Sequence, residues 1–277
     1  MSKDYNKNEM VKEDIKETVE TSSKKVSSRF DETVNESSDM ESSEVIHMSA
    51  VGKLINIVLS PSKALKAIKH KPTIWAAMIA LPILPLLYYL ICWQAYEIQM
   101  IQMLESQFAG MGMELTRDIL EMQLNIMKYT APGGAVVGTY FGLLIPSVFY
   151  FLIGKLMKKN GTFKQTFSLM AHTAIIASLI WLMHIIITLA LGESNILAPM
   201  TSLASLLPAD MYGSVVYGML STIEVFSLWY MFVLYMGLHI VLDYSKKAAA
   251  ITVVATLVIS MLITAGSLAI TNMAGSL

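Results

Sequence analysis

Five stretches of this chain are apolar over a length that can cross a lipid bilayer, and no other feature constrains the fold as much. A bilayer core takes about 20 helical residues. The stretches cover residues 73–93, 134–156, 168–191, 215–241 and 248–270. Backbone groups in hydrocarbon must be hydrogen-bonded within the protein, and a single apolar segment achieves this as a helix. The predicted fold class is therefore all-α, a polytopic membrane protein with five transmembrane helices.

Charged residues are divided unevenly between the first 47 residues and the rest of the chain. Only 15% of all residues are charged, against about a quarter in soluble domains, which excludes an ordinary soluble globule. Residues 1–47 carry seven Lys/Arg, twelve Asp/Glu and few apolar side chains. Such a segment buries too little apolar surface to fold, and it lacks the apolar core of a signal peptide. We expect residues 1–47 to be a disordered acidic cytoplasmic tail and residues 48–277 to form the membrane domain.

The lysines predict the orientation, because cytoplasmic loops are enriched in Lys and Arg. They precede span 1 and lie between spans 2 and 3 and between spans 4 and 5: Lys53, Lys63, Lys66, Lys69, Lys71, Lys155, Lys158, Lys159, Lys164, Lys246 and Lys247. The loops between them hold only Arg117 and Lys128. This distribution predicts a cytoplasmic N-terminus and a C-terminus outside the cell.

Amphipathic helices are predicted outside the spans. Apolar residues recur at helical spacing between lysines over residues 51–70, which indicates two short basic helices. They either lie on the cytoplasmic membrane surface or only lead into span 1. A second apolar stripe, interrupted near Gly110 and Gly112, predicts outer amphipathic helices over about residues 96–130. These either cap the bundle or offer a methionine-rich face to a partner.

One acidic residue, Glu224, lies inside a predicted span. An ionisable group at this depth costs several kcal/mol and often marks a functional site or a specific partner. At three- and four-residue steps from it, the same helix carries Tyr217, Ser221 and Ser227, and His184 reaches a similar depth on span 3. Glu224 and His184 could form a hydrogen-bonded pair. Either a neutral Glu224 is hydrogen-bonded to a serine or tyrosine, or Glu224 belongs to a proton-relay or cation site.

Three glycines spaced four residues apart, Gly134, Gly138 and Gly142, share one face of span 2. Small residues at this spacing let a second helix approach closely. The face is therefore a candidate helix-packing face, which is used either within the bundle or between two copies of the chain.

Motifs for catalysis and ligand binding are missing from the sequence. It contains no GxSxG, P-loop, HExxH or paired aspartates of an intramembrane protease, so no catalytic residue is assigned. We expect no metal and no cofactor. The basic residues are membrane-flanking lysines without interleaved aromatic side chains, so nucleic acid is not an expected partner. The chain is predicted to be no enzyme.

The order of these features resembles the Yip1 domain family of five-span membrane proteins. Five short segments carry the resemblance, in order: Leu59-Ser60-Pro61-Ser62-Lys63-Ala64, Lys71-Pro72, Gly161-Thr162-Phe163-Lys164, Phe226-Ser227-Leu228-Trp229-Tyr230 and Ser245-Lys246-Lys247-Ala248. The DLYGP-type and YGYS-type segments of eukaryotic members are not present, so the sequence is similar to the prokaryotic branch.

The resemblance implies an integral protein of a prokaryotic cell membrane, in some members an accessory to an ABC-type exporter, with no catalytic residues to carry over. The expected function is that of a non-catalytic scaffold or adaptor. Its partners would be the lipid bilayer and either another membrane protein or further copies of the chain. The alternative is a small transporter or channel-like protein that uses Glu224 and His184.

Overall fold

The computed structural model describes residues 47–192, 201–208, 211 and 214–274, and this part of the chain contains helices and no strand. The all-helical fold class is therefore confirmed. The acidic tail predicted over residues 1–47 lies outside the described residues, except for His47.

The described residues form ten α-helices and one 3-10 helix, which are joined by turns and loops. They are α1 (Ala50–Leu59), α2 (Pro61–His70), α3 (Trp75–Ala80), α4 (Ile83–Ile91), α5 (Trp93–Gly110), α6 (Arg117–Leu156), α7 (Phe163–Leu191), the 3-10 helix (Leu203–Leu206), α8 (Val215–Ser221), α9 (Val225–Ile240) and α10 (Lys246–Ala274).

The two entry helices α1 and α2 pack into the bundle. On α2, Leu65 and Ile68 are fully buried in the same cluster as residues of α7 and α9. The chain that follows α2 is held to α7, because Ser168 Oγ donates to the carbonyl oxygen of Thr73 at 2.7 Å. These helices form where the sequence predicts them, and α2 belongs to the core.

Helix α7 lies at the centre of the core. Its residue Leu169 is fully buried against α9. A Cβ on Gly237 of α9 would lie 2.2 Å from Leu169 Cδ1, so a larger residue here would have to displace the Leu169 side chain. Helix α7 begins with a capping box in which Thr162 and Gln165 hydrogen-bond to each other's backbone, and such caps satisfy otherwise unpaired N–H groups.

The outer amphipathic region differs from the prediction. The chain breaks after Gly110, as expected, but the second predicted outer helix and span 2 form one continuous helix, α6, of 40 residues that includes Pro132 and Pro146. The separation predicted between residues 130 and 134 is therefore wrong. Pro132 lacks an N–H and so removes one helical hydrogen bond, but the helix continues past it.

The segments predicted as spans 1 and 4 are each interrupted in the structure. The segment predicted over residues 73–93 contains α3 and α4, and a 78° bend separates Trp75–Ile91 from α5. The segment predicted over residues 215–241 is two helices, α8 and α9, so a continuous span 4 is wrong. Among the described helices, α6, α7 and α10 are long and apolar enough to cross a membrane, and the bent pair makes a fourth if it is one span.

Candidate functional site

The chain breaks between α8 and α9, and Glu224 is the residue that immediately precedes α9. Just upstream, Thr222 Oγ1 donates to the carbonyl oxygen of Met219 at 2.7 Å, and such side-chain bonds compete with the helical pattern. Glu224 then adopts an extended conformation with φ −131° and ψ 151° and forms the N-cap of α9. The predicted intramembrane acid is thus a helix cap at a discontinuity.

The Glu224 carboxylate is buried and uses both oxygens. Its Oε2 accepts from the backbone N–H of Ser227 at 2.9 Å, and its Oε1 accepts from the Thr201 hydroxyl at 3.0 Å. Ser202 forms an antiparallel bridge with Glu224, and the Leu203 N–H donates to the carbonyl oxygen of Ile223 at 3.0 Å. The segment 201–203 therefore forms hydrogen bonds with backbone groups that would have no helical partner at the break between α8 and α9.

The polar residues predicted around Glu224 lie on both sides of this break. Tyr217 and Ser221 belong to α8, whereas Ser227 is in the first turn of α9. The Ser221 hydroxyl donates to the carbonyl oxygen of Gly218 at 2.8 Å, within its own helix. Ser227 contacts the carboxylate through its backbone N–H.

His184 lies within electrostatic range of Glu224. Its ring is buried on α7, with centroids 6.3 Å from Tyr88 and 6.0 Å from Trp181. The hydrogen bonds of the carboxylate go to Thr201 and Ser227. The structure thus brings the two predicted residues near each other and gives Glu224 other hydrogen-bond partners, so a functional role for the pair stays a prediction.

The three glycines of α6 face open space. A Cβ built on Gly134, Gly138 or Gly142 meets no atom within 4 Å. By contrast, a Cβ on Gly154 of the same helix would lie 3.1 Å from the Tyr244 hydroxyl oxygen. The predicted helix-packing face is therefore unoccupied by the described residues, whereas Gly154 has the packing role within the bundle.

A groove of about 260 Å³ runs beside this glycine face. Gly138 and Gly142 form part of one wall, Ala174 and Ala177 of α7 belong to the lining, and Trp181 contributes an aromatic ring. Small residues on two neighbouring helices leave room for the backbone of a further helix to approach.

A buried lysine on α1 was not predicted from the sequence. Lys53 is 1% exposed, and its Nζ donates to the carbonyl oxygen of Lys71 and, at 3.4 Å, to the Thr73 hydroxyl. Burial, followed by the nearby charge of Lys71, lowers the pKa of Lys53 below its usual value. Lys71 is the C-cap of α2, so the ammonium binds the negative end of that helix. The helical periodicity of α1 gave no sign of this inward orientation.

Metal ligands do not converge in the part of the chain that the structure describes. Within the described ranges, no group of three or more His, Cys, Asp or Glu side chains could hold a metal ion. The buried Glu224 carboxylate instead has protein donors on both oxygens.

Long apolar helices around a buried core, with most large apolar side chains of α6 and α10 facing outward, define a polytopic helical membrane protein. The chain belongs to the Yip1 domain family, whose model matches residues 55–268. It is similar to the membrane protein YknW of Bacillus subtilis (strain 168), with 27% identity over 201 residues, which are 73% of this chain and 83% of the relative. No solved structure matches. The relative and the apolar helices together indicate a multi-pass protein of a bacterial membrane.

Proposed function

We propose that this protein is a non-catalytic membrane scaffold that binds a transmembrane helix of a partner protein on the glycine face of α6. The open space at Gly134, Gly138 and Gly142 carries the proposal. Association of helices in lipid depends on close packing, which small residues permit. The groove beside Gly138 and Gly142 adds a concave surface for the second helix. The family resemblance points to an ABC-type exporter as one class of partner, and a second copy of the chain is the other.

Gly138→Leu is expected to abolish partner binding and leave the fold intact. A leucine side chain at this position projects into open space and fills the groove, which prevents close helix approach. The measurement is chemical cross-linking in native membranes, followed by purification and identification of the cross-linked proteins.

Gly266→Leu is the matched control, because a Cβ on Gly266 of α10 also meets nothing within 4 Å. This variant should keep every partner of the wild type. If Gly138→Leu and Gly142→Leu retain the same cross-linked proteins as the control, the glycine face is not the binding surface.

A transport function is the second candidate, and the break at Glu224 favours it. Transporters often bind substrate where a membrane helix is discontinuous, and here a buried carboxylate lies at such a point, near His184. A transporter needs an aqueous path to Glu224, whereas a scaffold keeps this carboxylate as a helix cap.

We also propose five membrane crossings, with the N-terminus in the cytoplasm and the C-terminus outside. The lysine-bearing segments support this arrangement, since α2, the α6–α7 connection and the α9–α10 connection meet at one end of the bundle. Lys69 Nζ lies 2.7 Å from Asp243 Oδ1, and Gln165 Nε2 donates to the carbonyl oxygen of Lys69 at 3.0 Å.

A reporter that is active only outside the cytoplasm should give a strong signal when fused after Leu277, and little signal when fused after Lys247. The lysines at the α9–α10 connection retain that end in the cytoplasm. An inactive reporter after Leu277, together with an active cytoplasmic reporter at the same place, would contradict five crossings.

A further inference from the structure

One end of the bundle gathers the lysine-bearing segments, and an ion pair and two hydrogen bonds from side chains to backbone hold them together. The ion pair of Lys69 with Asp243 joins α2 to the α9–α10 connection. Tyr244 of that connection donates from its hydroxyl to the carbonyl oxygen of Tyr150 on α6. The start of α7 joins the same region through Gln165. We call this region the lysine end.

The lysine end carries ten lysines besides Lys53. They are Lys63, Lys66, Lys69, Lys71, Lys155, Lys158, Lys159, Lys164, Lys246 and Lys247. Eight of these are exposed, and Lys69 and Lys159 are partly exposed. Among the described residues, Asp243 is the acidic residue at this end, and it forms an ion pair with Lys69. The positive charge excess of the described residues at this end is therefore large and directed to the surroundings.

Helix α1, beside this end, presents apolar side chains outward. Val51, Ile55 and Leu59 recur at four-residue steps and are 56%, 53% and 74% exposed. The buried Lys53 on the opposite side is fixed to the end of α2, so α1 cannot rotate to hide this stripe without losing that bond. A stripe of this kind suits the acyl region just below lipid headgroups.

We propose that the lysine end is a binding surface for anionic phospholipid headgroups, with the apolar stripe of α1 inserted below them. Charge complementarity selects this occupant, since each lysine near an anionic membrane surface adds favourable energy. The apolar stripe distinguishes a lipid from a soluble anion, because only a lipid supplies hydrocarbon next to phosphate. This surface lies at the lysine end and is distinct from the glycine face proposed for helix docking.

The test measures lipid binding by the purified full chain in a neutral detergent. Fluorescent phosphatidylglycerol and fluorescent phosphatidylcholine with the same acyl chains are titrated, and anisotropy is recorded. We expect at least tenfold tighter binding of phosphatidylglycerol in 0.05 M salt, and weaker preference in 0.5 M salt, because salt screens exposed charges. Inorganic phosphate at the same concentration should not displace the lipid.

Two double variants with the same charge change locate the surface. Lys246→Gln with Lys247→Gln removes two charges from the lysine end and should weaken phosphatidylglycerol binding at least fivefold. Arg117→Gln with Lys128→Gln removes the two cations of the outer region and should change binding less than twofold.

All four side chains are exposed, so both variants are expected to fold, and their melting temperatures in phosphatidylcholine verify this. Equal affinity for the two lipids, no effect of salt, or equal loss in both variants would overturn the proposal. Displacement of the lipid by inorganic phosphate alone would show a simple anion site and would also overturn the proposal.

Discussion

Gly237→Val is expected to destabilise the protein by about 1–3 kcal/mol, the usual cost of overpacking a close-packed core. Even a Cβ at this position would lie 2.2 Å from Leu169 Cδ1 and 3.1 Å from its Cδ2. Leu169 is fully buried in the main core cluster, so it cannot turn aside without displacing other side chains. The measurement is thermal unfolding of the purified protein in detergent, monitored by intrinsic fluorescence.

Gly138→Val provides the control for Gly237→Val. It introduces the same side chain on a membrane helix at a position where a Cβ meets no atom within 4 Å. Its melting temperature should match that of the wild type. A wild-type melting temperature for Gly237→Val would show that α7 and α9 do not cross as described.

Glu224→Ala is expected to destabilise the protein by about 2–4 kcal/mol, because loss of an N-cap costs about 1 kcal/mol and an unpaired buried donor costs about 1–3 kcal/mol. The change leaves the Ser227 N–H and the Thr201 hydroxyl without the carboxylate that accepts from them. The segment 201–203 loses its side-chain bond to Glu224 and keeps the backbone contacts of Ser202 and Leu203. The melting temperature and protease sensitivity near residue 201 measure the two effects.

Glu224→Gln separates the structural role from the transport role. The amide keeps one acceptor oxygen, so this variant should lose less stability than Glu224→Ala. A scaffold should retain its partners in the Gln variant, whereas a transporter that moves protons or cations through Glu224 should lose activity. Full stability in Glu224→Ala would refute the capping role described for this carboxylate.

The helical architecture can be predicted from the apolar periodicity of the sequence. Each apolar segment must satisfy its own backbone hydrogen bonds in hydrocarbon, so its own residues suffice to predict a helix. The helical class, the entry helices and the break after Gly110 could therefore be predicted. The merging of the outer helix with span 2 could not, since Pro132 and its neighbouring glycines usually end helices in water. Their cost depends on the surrounding medium, which the residue pattern alone does not give.

The candidate site illustrates a second limit of sequence reasoning. That Glu224 is unusual was evident from its apolar surroundings, but its partner Thr201 lies 23 positions away along the chain. The helix break is stable only because the segment 201–203 supplies hydrogen bonds there. Likewise, Lys53 points inward because the end of α2 offers carbonyl oxygens. Both depend on tertiary contacts that have no local signature.

Helix α6 has a mechanical consequence that follows from its length. Its 40 residues at 1.5 Å per residue make a rod of about 60 Å, twice the hydrocarbon thickness of about 30 Å. Roughly half of the rod must therefore project from the bilayer, whichever part is immersed. A tilt of about 10° within the membrane would move the tip of a projecting half of about 30 Å by about 5 Å. A small change of tilt in the immersed part of the helix therefore becomes a larger displacement at its projecting tip.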